Sequence, residues 1–442
     1  MKRALARTFQ SLTVRNFRLF AAGQLVSVAG TWMMVVAQDW LVLSLTDDSA
    51  TALGTVTALQ FAPLLLLTLY AGGLADRYDK RRLLMAANLV SGVLALLLAL
   101  LVLAGQVQVW HIYLFALGLG TVNAVEVPTR MAFVSELVGA ELLPNASALS
   151  AAYFNIARVL GPAVAGLLIG WFGTATVMLV NAVSYLATVA GLRLIRPGEL
   201  HRGKERPGRA RVADGLRHLV ARKDLLSVMV LVAVIGLAGF NFQLTLPLLA
   251  KTVFHADAAA FGLLTTAFAA GALLAALVTT LRRGRPPLLL VIGAALGFGV
   301  LELLTGFAPT YASAAALLLC TGFGSMYFAQ AANHRIQLGS DPAYRGRVMA
   351  LYTLVFQGTT PLGALLVGWL SNTWGARSGL VVGGAVSLLA ALGVLAVHRG
   401  GSVPAPAEEP HGEHPGLSDG RGRVPVPSPR SRDGSPASPS SD

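Results

Sequence analysis

The feature that most constrains this chain is a series of apolar runs, each about 20 residues long, that recur along most of its 442 residues. A helix of about this length crosses the hydrocarbon core of a bilayer. Only 12% of the residues are charged, whereas a soluble globular protein would have roughly a quarter. The sequence therefore predicts an all-α integral membrane protein.

Twelve membrane spans are predicted, numbered here in chain order. They lie at 19–44, 51–74, 83–104, 109–128, 145–171, 174–195, 224–249, 258–281, 288–308, 310–332, 347–370 and 377–398. A long basic segment after the sixth span divides them into two sets of six. The predicted parts are a cytoplasmic N-terminus (1–18), an N-terminal six-helix bundle (19–195), a basic cytoplasmic central loop (196–223), a C-terminal six-helix bundle (224–398) and a disordered cytoplasmic tail (399–442).

Lysine and arginine are distributed unevenly between the segments that join the spans. The segments on one side hold five, four, one, ten, three, three and five of them, whereas those on the other side hold two, Lys251 and Arg377. Because basic loops stay in the cytoplasm, both termini are expected to face the cytoplasm. We expect a multi-pass protein of the plasma (inner) membrane of a bacterium. The same alternation explains the net charge of +13 without nucleic acid as a partner.

Several kinds of site are not expected. Cys320 is the only cysteine, so an internal disulfide or a cysteine metal cluster is excluded. Gly198 to Lys204 matches the spacing of a phosphate loop, but Glu205 follows where serine or threonine is needed, and no strand precedes it. We therefore expect no cofactor, no metal and no enzymatic activity. The partners expected are a small-molecule substrate and the lipid bilayer, and the chain is expected to act as a monomer.

The stretch GGLADRYDKRR at residues 72–82 carries an unusual aspartate where span 2 ends. Asp76 stands at a helix C-terminus, where the backbone dipole disfavours a negative charge and favours Arg77, Lys80 and Arg81. Span 11 runs in the opposite direction and begins on the same side, near Arg347. We expect its positive N-terminus to hold Asp76; the alternative is a solvated loop charge.

The two sets of six spans are weakly related in sequence. Tyr153 aligns with Tyr352, Arg158 with Gln357, and Pro162 with Pro361. Two related six-helix bundles with a site between them are typical of secondary transporters.

Motifs in the first half resemble those of a known superfamily. The pattern formed by Gly72, Asp76, Arg77, Lys80 and Arg81 resembles the signature that follows the second helix of the major facilitator superfamily. It departs from that signature at position 79, where an aspartate replaces the usual glycine. The resemblance implies that the aspartate holds the two halves together in the outward-open state.

Longer stretches resemble the enterobactin-exporter branch of drug and siderophore efflux proteins. They are GTWMMVVAQDWLVLSLT, EVPTRMAFVSELVGAELLPNASALSAAYFNIARVLGPAVAGLLIGWFG and YRGRVMALYTLVFQGTTPLGALLVGWL. Gly161, Pro162 and Gly166 match the motif of the fifth helix of exporters. The resemblance implies the major facilitator fold and export, and covers about residues 10 to 398.

Four ionisable residues lie within the predicted spans, where charges are costly and typically mark function. Arg158 is near the middle of span 5 and requires a carboxylate, water or an anionic ligand. Asp39 in span 1 is its expected partner; the alternatives are a structural ion pair for Arg158 and an interfacial position for Asp39. Glu126 precedes Arg130 by four residues, which favours a local pair. Glu302 in span 9 has no assigned partner.

By analogy with the superfamily, polar and aromatic residues on several spans are expected to face a central cavity. The candidates are Gln38, Asn123, Phe154, Asn155, Asn241, Gln243, Tyr327, Gln330, Asn333 and Gln357. Ordinary interhelical hydrogen bonds are the alternative for the polar ones. The sequence thus predicts a proton-coupled exporter of amphipathic or siderophore-like molecules that works by alternating access. The alternatives are an importer or facilitator, and a membrane sensor that transports nothing.

Overall fold

The computed structural model of the chain describes residues 9–201, 212–282 and 284–400, except for the side chains of 68–73, 75, 76, 212–214 and 400. The regular elements in these ranges are all helical. The α-helices are α1 (Arg15–Leu45), α2 (Ala50–Arg77), α3 (Lys80–Leu103), α4 (Val109–Leu194), α5 (Val212–Ala221), α6 (Lys223–Ala238), α7 (Phe242–Leu248), α8 (Ala258–Thr280), α9 (Leu288–Gly306), α10 (Tyr311–Gly339), α11 (Arg345–Trp374) and α12 (Ser378–Gly400). The predicted tail beyond Gly400 and the first eight residues lie outside the described residues.

Twelve spans result from these helices. Ten helical segments of the described residues are long and apolar enough to cross a membrane. One of them, α4, has 86 residues and would be about 129 Å long if straight, several times a bilayer's thickness. Gly139 (φ 72°) and Gly173 (φ 78°) interrupt it with non-helical backbone, which glycine adopts without strain. They divide α4 into the segments 109–138, 140–172 and 174–194, so the predicted twelve spans are confirmed.

The predicted boundaries around span 4 are too narrow. The sequence places a connecting segment at 129–144, whereas the structure keeps this stretch helical on both sides of Gly139. The reason is that hydropathy detects only the part of a helix inside the hydrocarbon. Helical hydrogen bonding continues past that boundary, where polar residues such as Arg130 and Glu136 are also stable.

Span 7 was predicted as one continuous helix over 224–249, but the structure breaks it. The helix α6 ends at Ala238, and α7 begins only at Phe242. A five-residue π-helical turn, Leu249–Val253, follows α7 and contains Lys251. Phe240 and Asn241 of the broken segment line the cavity described below.

The predicted central loop also contains regular structure. Helix α5 lies within 196–223 and packs on the start of α11, where a side chain at Gly215 would lie 2.8 Å from Cβ of Arg347. Because of its high proportion of charged residues, the segment 196–223 was predicted only as a basic loop, without a helix. Residues 202–211 of that loop lie outside the described residues.

The first half (15–195) and the second half (223–400) contact each other mainly through two pairs of helices. Helix α2 packs on α11, and the segment 140–172 packs on α8. Small residues allow the backbones to approach: a β-carbon on Gly54 would lie 2.5 Å from the Ala364 carbonyl oxygen, and one on Gly166 would lie 2.6 Å from that of Ala258. We call the end of the bundle with Lys80 and Arg335 the basic face, and the end with Lys251 the opposite face.

Candidate functional site

A cavity of about 370 Å³ lies between the two halves. Spans 1, 2 and 5 of the first half and spans 7, 8, 10 and 11 of the second half form its wall. The lining residues are Trp32, Val35, Val36, Asp39, Thr57, Phe61, Arg158, Pro162, Phe240, Asn241, Phe242, Gln243, Leu244, Leu246, Phe261, Thr265, Phe268, Ala269, Ser325, Met326, Ala329, Phe356 and Thr360. The wall is mainly aromatic and aliphatic, with a small number of polar groups, as in sites for amphipathic organic molecules.

Arg158 lines this cavity, and its guanidinium lies over the ring of Trp32, 5.5 Å from the ring centre. Phe154, one helical turn earlier, contacts the same indole edge to face at 5.9 Å. Among the described side chains, no carboxylate lies within ion-pair distance of Arg158. The cation is therefore held by an aromatic face, which attracts it through the ring quadrupole.

Asp39 lines the same cavity but is enclosed in its wall. Its side chain is 1% exposed, and neither carboxylate oxygen has a hydrogen-bond partner among the described residues. The expected ion pair between Asp39 and Arg158 is therefore wrong for this conformation. The positions of the two residues along their helices did not reveal that the guanidinium contacts Trp32, seven residues before Asp39, instead of the carboxylate.

Glu126 makes the local contact that its spacing predicted. Its carboxylate lies 3.7 Å from Nε of Arg130, and Arg130 also donates to Gln24 at 3.4 Å. These residues are not part of the cavity wall.

The other predicted cavity residues fall into two groups. Asn241 and Gln243 line the cavity, at and just after the break in span 7. The remaining ones, which the cavity wall does not include, are Gln38, Asn123, Phe154, Asn155, Tyr327, Gln330, Asn333 and Gln357.

Three of this second group have partners that explain their position. Asn155 donates to the carbonyl of Ala151 in its own helix at 2.8 Å. Tyr327 accepts a hydrogen bond from Arg282 at 3.0 Å. Phe154 supports the cavity indirectly, through Trp32. Sequence alone cannot separate such roles, because a polar residue on a span serves a neighbouring helix as readily as a ligand.

Several lining residues were missed by the sequence analysis. On α1, Trp32, Val35 and Val36 share one helical face with Asp39, because they precede it by seven, four and three residues. On α8, Phe261, Thr265, Phe268 and Ala269 show the same spacing. The helical period counted from Asp39 could have identified the lining residues of α1. Nothing in the sequence of α8 distinguishes its cavity-facing side from its lipid-facing side.

The motif of the fifth span joins the cavity wall to its neighbours. Pro162 lines the cavity, and a β-carbon on Gly161 would lie 2.7 Å from Cβ of Trp32. Gly166 allows the close approach of α8 described above. The motif thus fixes the positions of both Trp32 and the second half relative to Arg158.

The signature stretch 72–82 is only partly visible. The side chains of Gly72 and Asp76 lie outside the described residues, so the expected contact of Asp76 remains a prediction. Arg77 is exposed, and Lys80 forms an ion pair of 2.6 Å with Glu136. Nε of Arg81 donates to the Leu192 carbonyl at 2.6 Å, which fixes the start of α3 to the end of α4.

Contacts at the opposite face join the halves. Lys251 of the second half lies 2.7 Å from the Asp48 carboxylate of the first half, and 5.4 Å from the ring centre of Trp40. Trp40 in turn stacks on Phe261 at 6.2 Å. Nothing in the sequence indicated that Lys251 pairs with the first half.

Glu302 lies away from the cavity, within the second half. Its side chain is 1% exposed, and Oε2 has no hydrogen-bond partner among the described residues. A β-carbon on Gly239 would lie 3.0 Å from this oxygen, which places the carboxyl beside the break in span 7.

A bundle of twelve spans with an aromatic cavity between its halves is the architecture of a major facilitator transporter. The sequence profile of the transmembrane secretion effector family matches residues 6–411, and the chain belongs to this family of major facilitator proteins.

The chain is also similar to named bacterial proteins. It is 26% identical to the staphyloferrin A transporter of Staphylococcus aureus, over 81% of this chain and 90% of that protein. It is 28% identical to the multidrug efflux pump Tap of Mycobacterium tuberculosis, over 81% of this chain and 87% of the pump. It is 23% identical to macrolide efflux protein A of Streptococcus pyogenes, over 85% of this chain and 94% of that protein.

Solved structures confirm the fold. A bacterial homolog of the human lysosomal transporter Spinster, in an inward-facing and occupied conformation, superposes with a TM-score of 0.70 at 14% identity and covers 87% of this chain and 97% of its own. The nucleoside transporter NupG gives a TM-score of 0.69 at 12% identity, over 87% and 99% of the two chains.

Proposed function

We propose that this protein exports amphipathic drugs or siderophore-like organic molecules across the bacterial plasma membrane, using the proton gradient. The observation that carries the proposal is the aromatic cavity between the halves. The names of its relatives, which include two efflux proteins and a staphyloferrin A transporter, support the same direction and class of substrate.

Alternating access follows from the position of the inter-half contacts. The pair Lys251–Asp48 and the stack of Trp40 on Phe261 hold the halves together at the opposite face. With both termini in the cytoplasm, as the basic loops favour, that face is external. The conformation described is then closed to the outside, and transport requires these contacts to break while the halves close at the basic face.

Asp39 is the residue through which protons would couple to transport. It is an enclosed carboxyl in the cavity wall, without a hydrogen-bond partner in this conformation. Rearrangement of the halves would expose it to each side in turn. A proton entering through a potential of 100 mV supplies about 2.3 kcal/mol per charge.

The test is transport in inside-out vesicles with an imposed pH gradient. An exporter accumulates a fluorescent amphipathic substrate in these vesicles when their interior is acidic, and dissipating the gradient abolishes accumulation. Asp39→Asn should remove the dependence on pH while the protein still exchanges substrate across the membrane. Uptake in right-side-out vesicles instead would show an importer, and gradient-independent accumulation would contradict proton coupling.

A further inference from the structure

We infer that the transported molecules are amphipathic organic anions, and that Arg158 binds their anionic group. This inference rests on the proposed function, because it concerns the substrate of the same cavity. It goes further by assigning a charge to the substrate and a residue to its recognition.

The first observation is the charge of the cavity wall. Arg158 and Asp39 are its only ionisable side chains among the described lining residues. Arg158 is partly exposed, whereas Asp39 is 1% exposed and both its oxygens are enclosed. The charge that a ligand meets in this conformation is therefore the guanidinium.

The second observation is that Arg158 has no anion of its own. No described carboxylate lies within ion-pair distance, and its one specific contact is the ring of Trp32 at 5.5 Å. A guanidinium in a low-dielectric interior without a counter-charge is unfavourable. A ligand anion that supplies the missing charge therefore gains more here than at an exposed arginine.

The third observation concerns the N–H groups of the guanidinium. Its Cζ lies over the ring of Trp32, which Phe154 contacts edge to face. None of the Arg158 N–H groups donates a hydrogen bond to a described residue, so they are available to a ligand. Two parallel N–H groups match the two oxygens of a carboxylate, which an ammonium or a neutral amide does not offer.

The rest of the cavity wall indicates the chemical character of the remainder of the ligand. Phe61, Phe240, Phe242, Phe261 and Phe356 surround the cavity together with aliphatic side chains. These rings favour an aromatic or alkyl body next to the anionic group. The class is thus a carboxylate, or a similar planar oxyanion, on an apolar body.

The inference is tested by binding of three small probes that share one body. The full chain, purified in a neutral detergent, is titrated calorimetrically with 1-naphthoate, 1-naphthamide and 1-naphthylmethylammonium. We expect naphthoate to bind about tenfold more tightly than the other two, as a charge-assisted bidentate contact would give. Arg158→Gln should reduce naphthoate to the affinity of naphthamide, and Arg158→Lys should retain part of the difference.

The matched control is Arg377→Gln, which removes another partly buried arginine; it donates to the Gly306 carbonyl and does not line the cavity. This variant should keep the preference for naphthoate. Equal binding of the three probes to the wild type, or a preference for the ammonium, would overturn the inference. So would a naphthoate preference that survives in Arg158→Gln.

Failure of the inference is distinguishable from failure of the proposed function. If the vesicles show gradient-driven export but the probes bind equally, the protein is an exporter whose site does not select anions. If none of the probes binds, the cavity does not recognise such bodies, and the inference is wrong whatever the transport assay shows.

Discussion

At the scale of single residues, the charges inside the spans divide by their surroundings. Arg158 and Asp39 share the cavity wall without pairing, whereas Glu126 is neutralised locally by Arg130. Outside the spans, Lys80 and Arg81 fix α3 to α4 through an ion pair and backbone carbonyls. Lys80 and Arg81 of the signature stretch therefore stabilise the first half, whereas a link between the halves through Asp76 stays a prediction.

Asp76→Asn is predicted to insert and fold normally but to lose most transport. The carboxylate at a helix C-terminus is unfavourable unless another group holds it, and we expect that group to be the N-terminus of span 11 when the protein is open to the opposite face. Removing the charge should shift the population towards the conformation described here. A cysteine at Ala269, in a Cys320→Ala background, should then react more slowly with an impermeant maleimide added from the opposite face.

The control for this prediction is Asp79→Asn, which changes a carboxylate that accepts from the Arg82 amide at the start of α3. It should cost some stability without changing the labelling. Normal transport and unchanged labelling in Asp76→Asn would show that the stretch is only a basic anchor.

At the scale of the helices, packing depends on small residues at the places where backbones meet. Two glycines of the segment 140–172 lie in contrasting positions. A side chain on Gly166 would lie 2.6 Å from the Ala258 carbonyl, whereas one on Gly170 would meet nothing within 4 Å. Gly166 belongs to the predicted motif of span 5, so this motif takes part in the contact between the halves.

Gly166→Val is predicted to separate this segment from α8 and to lower stability by about 1–3 kcal/mol, the usual cost of overpacking. Gly170→Val is the matched control, since it adds the same side chain in the same helix where space is open. Thermal unfolding in detergent measures both. Equal changes in Tm for the two variants would mean that the effect arises from helix propensity or hydrophobicity and not from contact with α8.

At the scale of the whole molecule, the two halves are joined at the opposite face by a small set of side chains. Lys251 contacts the Asp48 carboxylate and lies over Trp40 at the same time. These residues come from opposite halves, so their contact exists only while that face is closed.

Lys251→Gln is predicted to favour opening of the opposite face by about two- to fivefold, because a partly exposed ion pair contributes up to about 1 kcal/mol. The Ala269→Cys reporter should therefore react faster from that face, the reverse of its response to Asp76→Asn. The exchanged pair Asp48→Lys with Lys251→Asp should restore the slower rate. Arg377→Gln, which removes the other base of this face, should leave the rate unchanged; slower labelling in Lys251→Gln would contradict the role of the pair.

The sequence by itself determined the helical class, the twelve spans and the distribution of charge. Each follows from composition over about 20 residues, because a bilayer imposes the same length and the same internal hydrogen bonding on every span. The approximate position of Arg158 in mid-membrane was also readable. The resemblance of the sequence motifs to those of exporters indicated the family before any contact was known.

Tertiary structure alone decided which charges meet. The sequence suggested Asp39 as the partner of Arg158, yet the guanidinium lies over Trp32, and Lys251 binds Asp48 from the other half of the chain. The break at 239–241 was likewise invisible, because Asn241 and Gln243 fit a continuous helical pattern. The physical reason is that these features depend on neighbours distant in the sequence, more than 100 residues away for the contacts of Arg158 and Lys251, whereas the bilayer constrains each span through its own composition.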